Sequence, residues 1–75
     1  MPTLSIIDGI KIDVYSRDHP PPHFHALYAG HEELIVINNL TTYAGKLPVA
    51  QRRKVIAWAS TRQAWLMQVF NQLNP

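Results

Sequence analysis

Three things are missing or scarce in this sequence: it has no cysteine, only three glycines, and no acidic residue from position 34 to position 75. Without cysteine there can be no disulfide bond, no thiolate zinc site and no thiol nucleophile. No stretch approaches the roughly 20 apolar residues that a membrane-spanning helix needs. The first residues also lack the basic start of a secretion signal. The sequence therefore predicts a cytoplasmic protein that does not contact a membrane.

The chain is short, with 75 residues of which 47% are hydrophobic. This length supports one hydrophobic core, so we expect a single ββββα domain over residues 1–75. A domain of this size is marginally stable by itself. In the absence of disulfides, the usual additional supports are a bound metal ion or a second subunit. A divalent metal and a homodimer are therefore both open at this point.

Basic residues are concentrated in the second part of the chain. All five carboxylates lie before residue 34, whereas five of the seven lysines and arginines lie after it. Such asymmetry is typical of proteins that contact nucleic acids or acidic partners. Arg52, Arg53 and Lys54 are consecutive, however, and would spread around a helix instead of forming one stripe. The charge pattern therefore gives little support to nucleic-acid binding.

Alternation of apolar and polar residues predicts four antiparallel strands arranged as two hairpins. The pair Asp8-Gly9 is the turn signal of the first hairpin, and residues 29–31 are that of the second. The predicted strands are residues 4–6, 10–15, 23–28 and 33–37. One face of this sheet should form the core against a helix. That face would carry Leu4, Ile6, Ile10, Ile12, Val14, Phe24, Ala26, Tyr28, Leu34 and Val36.

The last third of the sequence predicts one long amphipathic helix. Residues 49–73 contain no glycine or proline, and their apolar residues recur at steps of three and four. A helix of about 25 residues would be about 37 Å long, which exceeds the roughly 30 Å diameter of such a domain. The helix would therefore extend onto a partner, or it would be kinked near Ser60, where a capping-box pattern begins. In the first case Trp58, Trp65 and Phe70 are the predicted partner interface.

The four histidines are clustered, and three of them lie in residues 18–25, which read DHPPPHFH. His23 and His25 are two apart on a predicted strand, so they should project from one face about 7 Å apart, a spacing that suits one metal ion. His19 is a candidate third ligand. Asp18 is a candidate fourth ligand or a carboxylate behind the ligands. The predicted face opposite the core carries Lys11, Asp13, Tyr15, Arg17, His23, His25 and Leu27.

The same residues fit other functions. His23 and His25, with Tyr15 and Arg17, resemble the acid, base and phosphate-binding groups of a metal-independent ribonuclease. A purely structural role is equally open, because the prolines at 20–22 and Asp18 would fix the crossover between the hairpins. A histidine-rich and aromatic sheet face could also bind another protein.

Several motifs together resemble domain-of-unknown-function family 4160. They are Met1-Pro2-Thr3, Asp8-Gly9, residues 18–25, and Gly45-Lys46-Leu47-Pro48 ahead of the helix that contains Trp58. The resemblance implies a small bacterial interaction protein, the toxin-like half of a toxin–antitoxin pair. Its partner would be a small cognate protein of domain-of-unknown-function family 2442. The alternative is a histidine-cluster hydrolase, with or without a metal. The signature positions carried over are Asp18, His19, Pro21, Pro22, His23 and His25.

Overall fold

The computed structural model of the protein describes residues 3–75; Met1 and Pro2, which belong to the predicted domain and to the first family motif, lie outside the described residues. The α+β class is confirmed, but the prediction of four strands and one long helix is wrong. A five-stranded antiparallel sheet in the order β1-β2-β3-β4-β5 is followed by two helices. The elements are β1 (Thr3–Ile7), β2 (Ile10–Asp13), β3 (His23–Tyr28), β4 (His31–Val36), β5 (Thr42–Gly45), α1 (Val49–Ser60) and α2 (Gln63–Leu73).

Both predicted hairpins are present, and each closes through a two-residue turn. Asp8 and Gly9 have φ angles of 48° and 80°, and Ala29 and Gly30 have φ angles of 47° and 83°. Two consecutive positive φ angles are typical of the type I′ turn, whose twist matches that of the flanking strands. The two turns therefore fix the register of β1 with β2 and of β3 with β4.

The second turn is one residue shorter than expected, and this reverses the predicted orientation of β4. Phe24 pairs with Ile35 and Ala26 pairs with Glu33, so these residues share the face that the helices cover. Leu34, predicted to be in the core, lies opposite His25 instead, and Val36 lies opposite His23. A one-residue change of register moves every side chain of a strand to the other face.

Ile6 is a second departure from the predicted core. The two-residue turn pairs Ile7 with Ile10, so Ile6 pairs with Lys11 on the face away from the helices. Its side chain is therefore 68% exposed, since successive residues of a strand point to opposite faces. The buried hydrophobic residues are Ile10, Ile12, Val14, Phe24, Ala26, Ile35, Ile37, Leu47, Val55, Ala59, Leu66 and Phe70.

Strand β5 was expected to be part of an irregular connector. Its four residues are all exposed and show no apolar alternation, so the sequence pattern contains no strand signal. A buried carboxylate fastens this part of the chain. Glu33 accepts hydrogen bonds from Thr42 Oγ1 (2.6 Å), the Leu47 amide (3.0 Å) and Arg52 Nε (2.9 Å). One side chain of β4 thus holds β5, the connector and α1.

The predicted single helix is divided into α1 and α2 at Thr61 and Arg62. The predicted capping box at Ser60 does not form, because the Ser60 hydroxyl donates to the Ala57 carbonyl instead. The side chain of Gln63 donates to the carbonyls of Ile37 (2.8 Å) and Asn38. This anchor fixes the start of α2 on the sheet. The break also removes the predicted overhang, because the two helices have only 12 and 11 residues; the homodimer stays a prediction.

Candidate metal centre

Residues 14–22 form the crossover between β2 and β3 and carry Asp18 to the start of β3. The end of α2 holds this crossover in place through Asn74. The Asp18 amide donates to Asn74 Oδ1 at 2.7 Å, and Asn74 Nδ2 donates to the carbonyl of Tyr15 at 3.0 Å. The Asn74 side chain therefore connects the last residues of the chain to the loop that bears Asp18.

His23 is completely enclosed, and its two ring nitrogens have different partners. Its Nδ1 lies 2.7 Å from the carbonyl oxygen of Pro21. A carbonyl can only accept a hydrogen bond, so Nδ1 carries the proton and donates it. Its Nε2 lies 2.9 Å from Asp18 Oδ2. That oxygen is nevertheless not placed where an Nε2–H could form a hydrogen bond with it.

His25 repeats the arrangement on the same face of β3. Its Nδ1 lies 2.9 Å from Glu32 Oε2, and its Nε2 lies 3.3 Å from Asp18 Oδ2. Both partners are carboxylates, which only accept hydrogen bonds, so either nitrogen of His25 can carry the proton, and both carry one when the ring is charged. The Nε2 atoms of His23 and His25 thus face one oxygen of Asp18, and the three groups have ligand atoms within 4.8 Å of one another.

This convergence requires a positive charge. A neutral imidazole that donates through Nδ1 has a lone pair on Nε2, and a lone pair facing a carboxylate oxygen is repelled by it. Either a second proton on the ring or a cation between the groups removes the repulsion. The side chains of His23, His25 and Asp18 are 0%, 10% and 15% exposed, so little water is available to screen the charges.

Aromatic rings enclose the three groups. The Tyr15 ring lies on His25 with a centroid distance of 4.1 Å. Tyr43 and Phe70 flank His23 at centroid distances of 5.4 Å and 5.9 Å. Such an apolar surrounding lowers the local dielectric constant and strengthens every charge interaction inside it.

The electrostatics of the cluster favour an ionised Asp18. Burial by itself would raise the pKa of Asp18, but the hydrogen bond with His25, the charge of His23 and the His19 amide outweigh it, so that this pKa is lowered. Burial raises the pKa of Tyr15, and the nearby carboxylates raise it further. Tyr15 is therefore a neutral phenol at physiological pH.

The remaining predicted residues lie around the cluster. The His19 side chain is 71% exposed, with its Nδ1 3.5 Å from the other oxygen of Asp18 and its Nε2 3.3 Å from the Tyr43 hydroxyl. Arg17 lines an adjacent groove. Of the predicted partner residues, Trp65 is 42% exposed. Phe70 is buried, and Trp58 packs on Phe24 with a ring centroid distance of 6.4 Å.

Sequence reasoning missed two supporting residues, Glu32 and Asn74. Glu32 pairs with Leu27 and is therefore a diagonal neighbour of His25 across the hairpin. The correct length of the turn would have revealed it. Asn74 lies 56 positions from Asp18, and no local pattern connects the two.

A scan against protein-family models matches residues 9–71 to Domain of unknown function (DUF4160). The chain belongs to this family. The match covers Asp18, His23, His25 and Glu32, so the cluster lies inside the DUF4160 domain, whereas Asn74 lies just beyond the matched residues. No curated protein and no solved structure matches the chain. Within residues 3–75, neither helix is long and apolar enough to cross a membrane.

Proposed function

We propose that this protein binds a divalent transition metal ion, with zinc as the expected one, through Asp18 Oδ2, His23 Nε2 and His25 Nε2. The observation that carries the proposal is the convergence of the Nε2 atoms of His23 and His25 on one carboxylate oxygen of Asp18. Zinc bonds to histidine nitrogen and carboxylate oxygen are about 2.0–2.2 Å long, which places neighbouring ligand atoms of a tetrahedral site roughly 3.3 Å apart. The separation of 3.3 Å between Asp18 and His25 matches this value, and the separation of 2.9 Å between Asp18 and His23 is somewhat shorter.

The direction of the Nε2 lone pair of His23 supports a metal more than a proton. Asp18 Oδ2 lies 2.9 Å from His23 Nε2 without a hydrogen bond between them, so the oxygen is off the direction in which an Nε2–H would point. A good hydrogen bond needs the donor to point at the acceptor. A metal ion held by both atoms would not need them to face each other directly.

The partners of the two Nδ1 atoms also support the proposal. Histidines that bind metals usually donate their other ring N–H to a carbonyl or carboxylate, which fixes the tautomer and the ring orientation. Here Pro21 supplies a carbonyl to His23, and Glu32 supplies a carboxylate to His25.

Three protein ligands leave one coordination position open, as in catalytic zinc sites and unlike structural ones. A metal in such a site acidifies a bound water molecule and can supply a nucleophile at neutral pH. We therefore propose a metal-dependent hydrolase over the metal-independent ribonuclease, because both Nε2 atoms are already directed at Asp18. In this proposal Tyr15 and Glu32 orient His25 and do not act on a substrate.

Zinc titration of the chelator-treated protein, in competition with a chromophoric chelator, tests the metal site. We expect one zinc per chain, and a loss of affinity of at least about 100-fold in His23→Ala and His25→Ala. His31→Ala is the matched control, because His31 is an exposed histidine on β4 outside the cluster. Cobalt(II) in place of zinc should give the visible absorption of a four-coordinate site. Equal affinities in the wild type and both cluster variants would refute the proposal.

A role as the toxin-like half of a cytoplasmic toxin–antitoxin pair is the second candidate, and exposed Trp65 favours it. This indole lies at the start of α2, edge-on to Trp58 at a centroid distance of 6.3 Å, and a large exposed aromatic residue is a common interface anchor. If Trp65 anchors a small cognate partner, Trp65→Ala should weaken binding of that partner by about 1–4 kcal/mol and reduce its co-purification. Exposed Gln68 on the same helix is the control, and equal retention by both variants would exclude this surface.

A further inference from the structure

A groove beside the metal centre has the size of a ligand site. It has a volume of about 580 Å³, within the range of roughly 300–1,000 Å³ that is usual for small-molecule sites. The crossover forms one wall and the end of α2 forms the other. Its polar side includes Arg17, Asp18 and His19, and its apolar side includes Pro22, Phe70 and Leu73.

Arg17 gives the groove its cationic group. None of the ion pairs among residues 3–75 involves its guanidinium, whereas Arg52 is paired with Glu33 and Arg62 lies over the Trp58 ring. Arg17 also has a φ angle of 57°, in the left-handed region that non-glycine residues usually avoid. An exposed arginine without an ion pair among the described residues thus lines this groove.

Asp18 belongs to both the groove and the metal centre. Its Oδ2 faces His23 and His25, while the residue itself lines the groove next to Arg17. A ligand in the groove would therefore lie beside Arg17 and beside Asp18, which is one of the three proposed metal ligands. With a divalent ion in place, the two cationic groups outweigh the single carboxylate, so the groove favours an anion.

We propose that the groove binds a phosphate ester whose organic group is apolar or aromatic. This proposal specifies the substrate class of the proposed hydrolase, and it therefore rests on that function. A phosphate group has enough oxygens to contact a guanidinium through two hydrogen bonds and a metal ion at the same time. The apolar wall at Pro22 and Leu73 suits the organic part of the ester. An anion without such a body would leave this wall uncovered.

Calorimetry on the zinc-loaded protein tests the proposal, with phenyl phosphate, inorganic phosphate and phenylacetate as probes. Phenyl phosphate should bind most tightly. Arg17→Gln should weaken its binding at least tenfold, and Arg17→Lys should restore part of the loss. Arg53→Gln, which changes an exposed arginine on α1, should have no effect. Leu73→Ser should weaken phenyl phosphate and leave inorganic phosphate unchanged.

The zinc affinity of each variant separates this proposal from the metal site. If Arg17→Gln binds zinc normally and binds phenyl phosphate as the wild type does, the groove proposal is overturned and the metal site stands. If phenylacetate binds as tightly as phenyl phosphate, the groove selects anions in general and the assignment to phosphate is wrong. If the wild type binds no zinc, both proposals fail together.

Discussion

Asn74 offers the most direct test of how the fold holds the metal centre. Its side chain accepts a hydrogen bond from the Asp18 amide at 2.7 Å and donates one to the Tyr15 carbonyl at 3.0 Å. It also donates to the Phe70 carbonyl, but the Asn74 main-chain amide contacts that carbonyl too. Asn74→Ala therefore removes two contacts between α2 and the crossover that no neighbouring group replaces.

The expected cost follows from these two contacts. A partly buried hydrogen bond contributes about 0.5–1.5 kcal/mol, so Asn74→Ala should lower the free energy of unfolding of the metal-free protein by about 1–3 kcal/mol. The crossover that bears Asp18 should then be less well held. Mutation of a residue that positions a metal ligand typically lowers metal affinity by about 10–100-fold. We expect Asn74→Ala to lose zinc affinity by that factor.

Urea unfolding of the metal-free protein and zinc competition measure the two effects separately. Asn71→Ala is the matched control, since Asn71 is an exposed residue on the same helix and near the same groove. Asn74→Asp keeps an acceptor for the Asp18 amide and should recover part of the zinc affinity. If Asn74→Ala is destabilised but binds zinc like Asn71→Ala, then Asn74 only stabilises the fold. Unchanged stability would contradict the hydrogen-bond argument itself.

Three further predictions concern individual residues. Glu33→Gln should cost about 2–3 kcal/mol at pH 7, because a charged acceptor is lost. Burial alone would raise the pKa of Glu33, but its hydrogen bonds and Arg52 lower it. In urea unfolding, the stability of the wild type should therefore fall as the pH drops below about 4.5, and the difference in stability between the wild type and Glu33→Gln should shrink. A difference that stays constant with pH would contradict this. Gly45→Ala should lower the melting temperature much more than Gly30→Ala does. Both glycines have a positive φ, but only at Gly45 would a Cβ clash with a main-chain carbonyl of β4. Similar decreases in the two variants would argue against this clash. His19→Ala should change the zinc affinity by no more than about threefold, because the exposed His19 ring faces the other oxygen of Asp18. Loss of a residue that orients a metal ligand typically costs tenfold or more, so a loss of that size would show that His19 takes part in the site.

The sequence predicts the hairpins well, because their signals are local. The pair Asp8-Gly9 and the alternation around it are enough to define β1 and β2. The orientation of β4 depends on whether the second turn has two residues or three, and the run ELIVI has apolar residues on both faces. In addition to the turn, the contacts of Glu33 on the helix side favour the observed register. These contacts come from residues 9 to 19 positions later, which local patterns do not encode.

The position of the helix break and the strand β5 were missed for the same kind of reason. The apolar period of the last third continues through Thr61 and Arg62, so the period alone predicts one helix. Gln63 overrides this prediction by bonding to carbonyls at the end of β4, 25 and 26 positions earlier. Helices in proteins take much of their stability from tertiary contacts, which can therefore also decide where they end.

The candidate site could be predicted in part. The two-residue spacing of His23 and His25 places them on one face as expected. The sequence predicts His19 as the third ligand and Asp18 only as a fourth ligand or a carboxylate behind the ligands, whereas it is Asp18 that meets both rings. The geometry that favours a metal is nevertheless tertiary: Pro21 and Glu32 fix the two Nδ1 atoms, and the position of Asp18 depends on Asn74. The residue types thus indicate the chemistry, while distant contacts decide which of them meet.

The proposed metal would contribute to folding as well as to function. Its ligands come from the crossover and from β3, and the groups that orient them come from β4 and the end of α2. An unfolded chain cannot bring these segments together, so a metal that binds the folded chain adds its binding free energy to stability. A 75-residue chain without cysteine has few other means to increase its stability. The same ion would therefore stabilise the fold and serve the proposed hydrolysis.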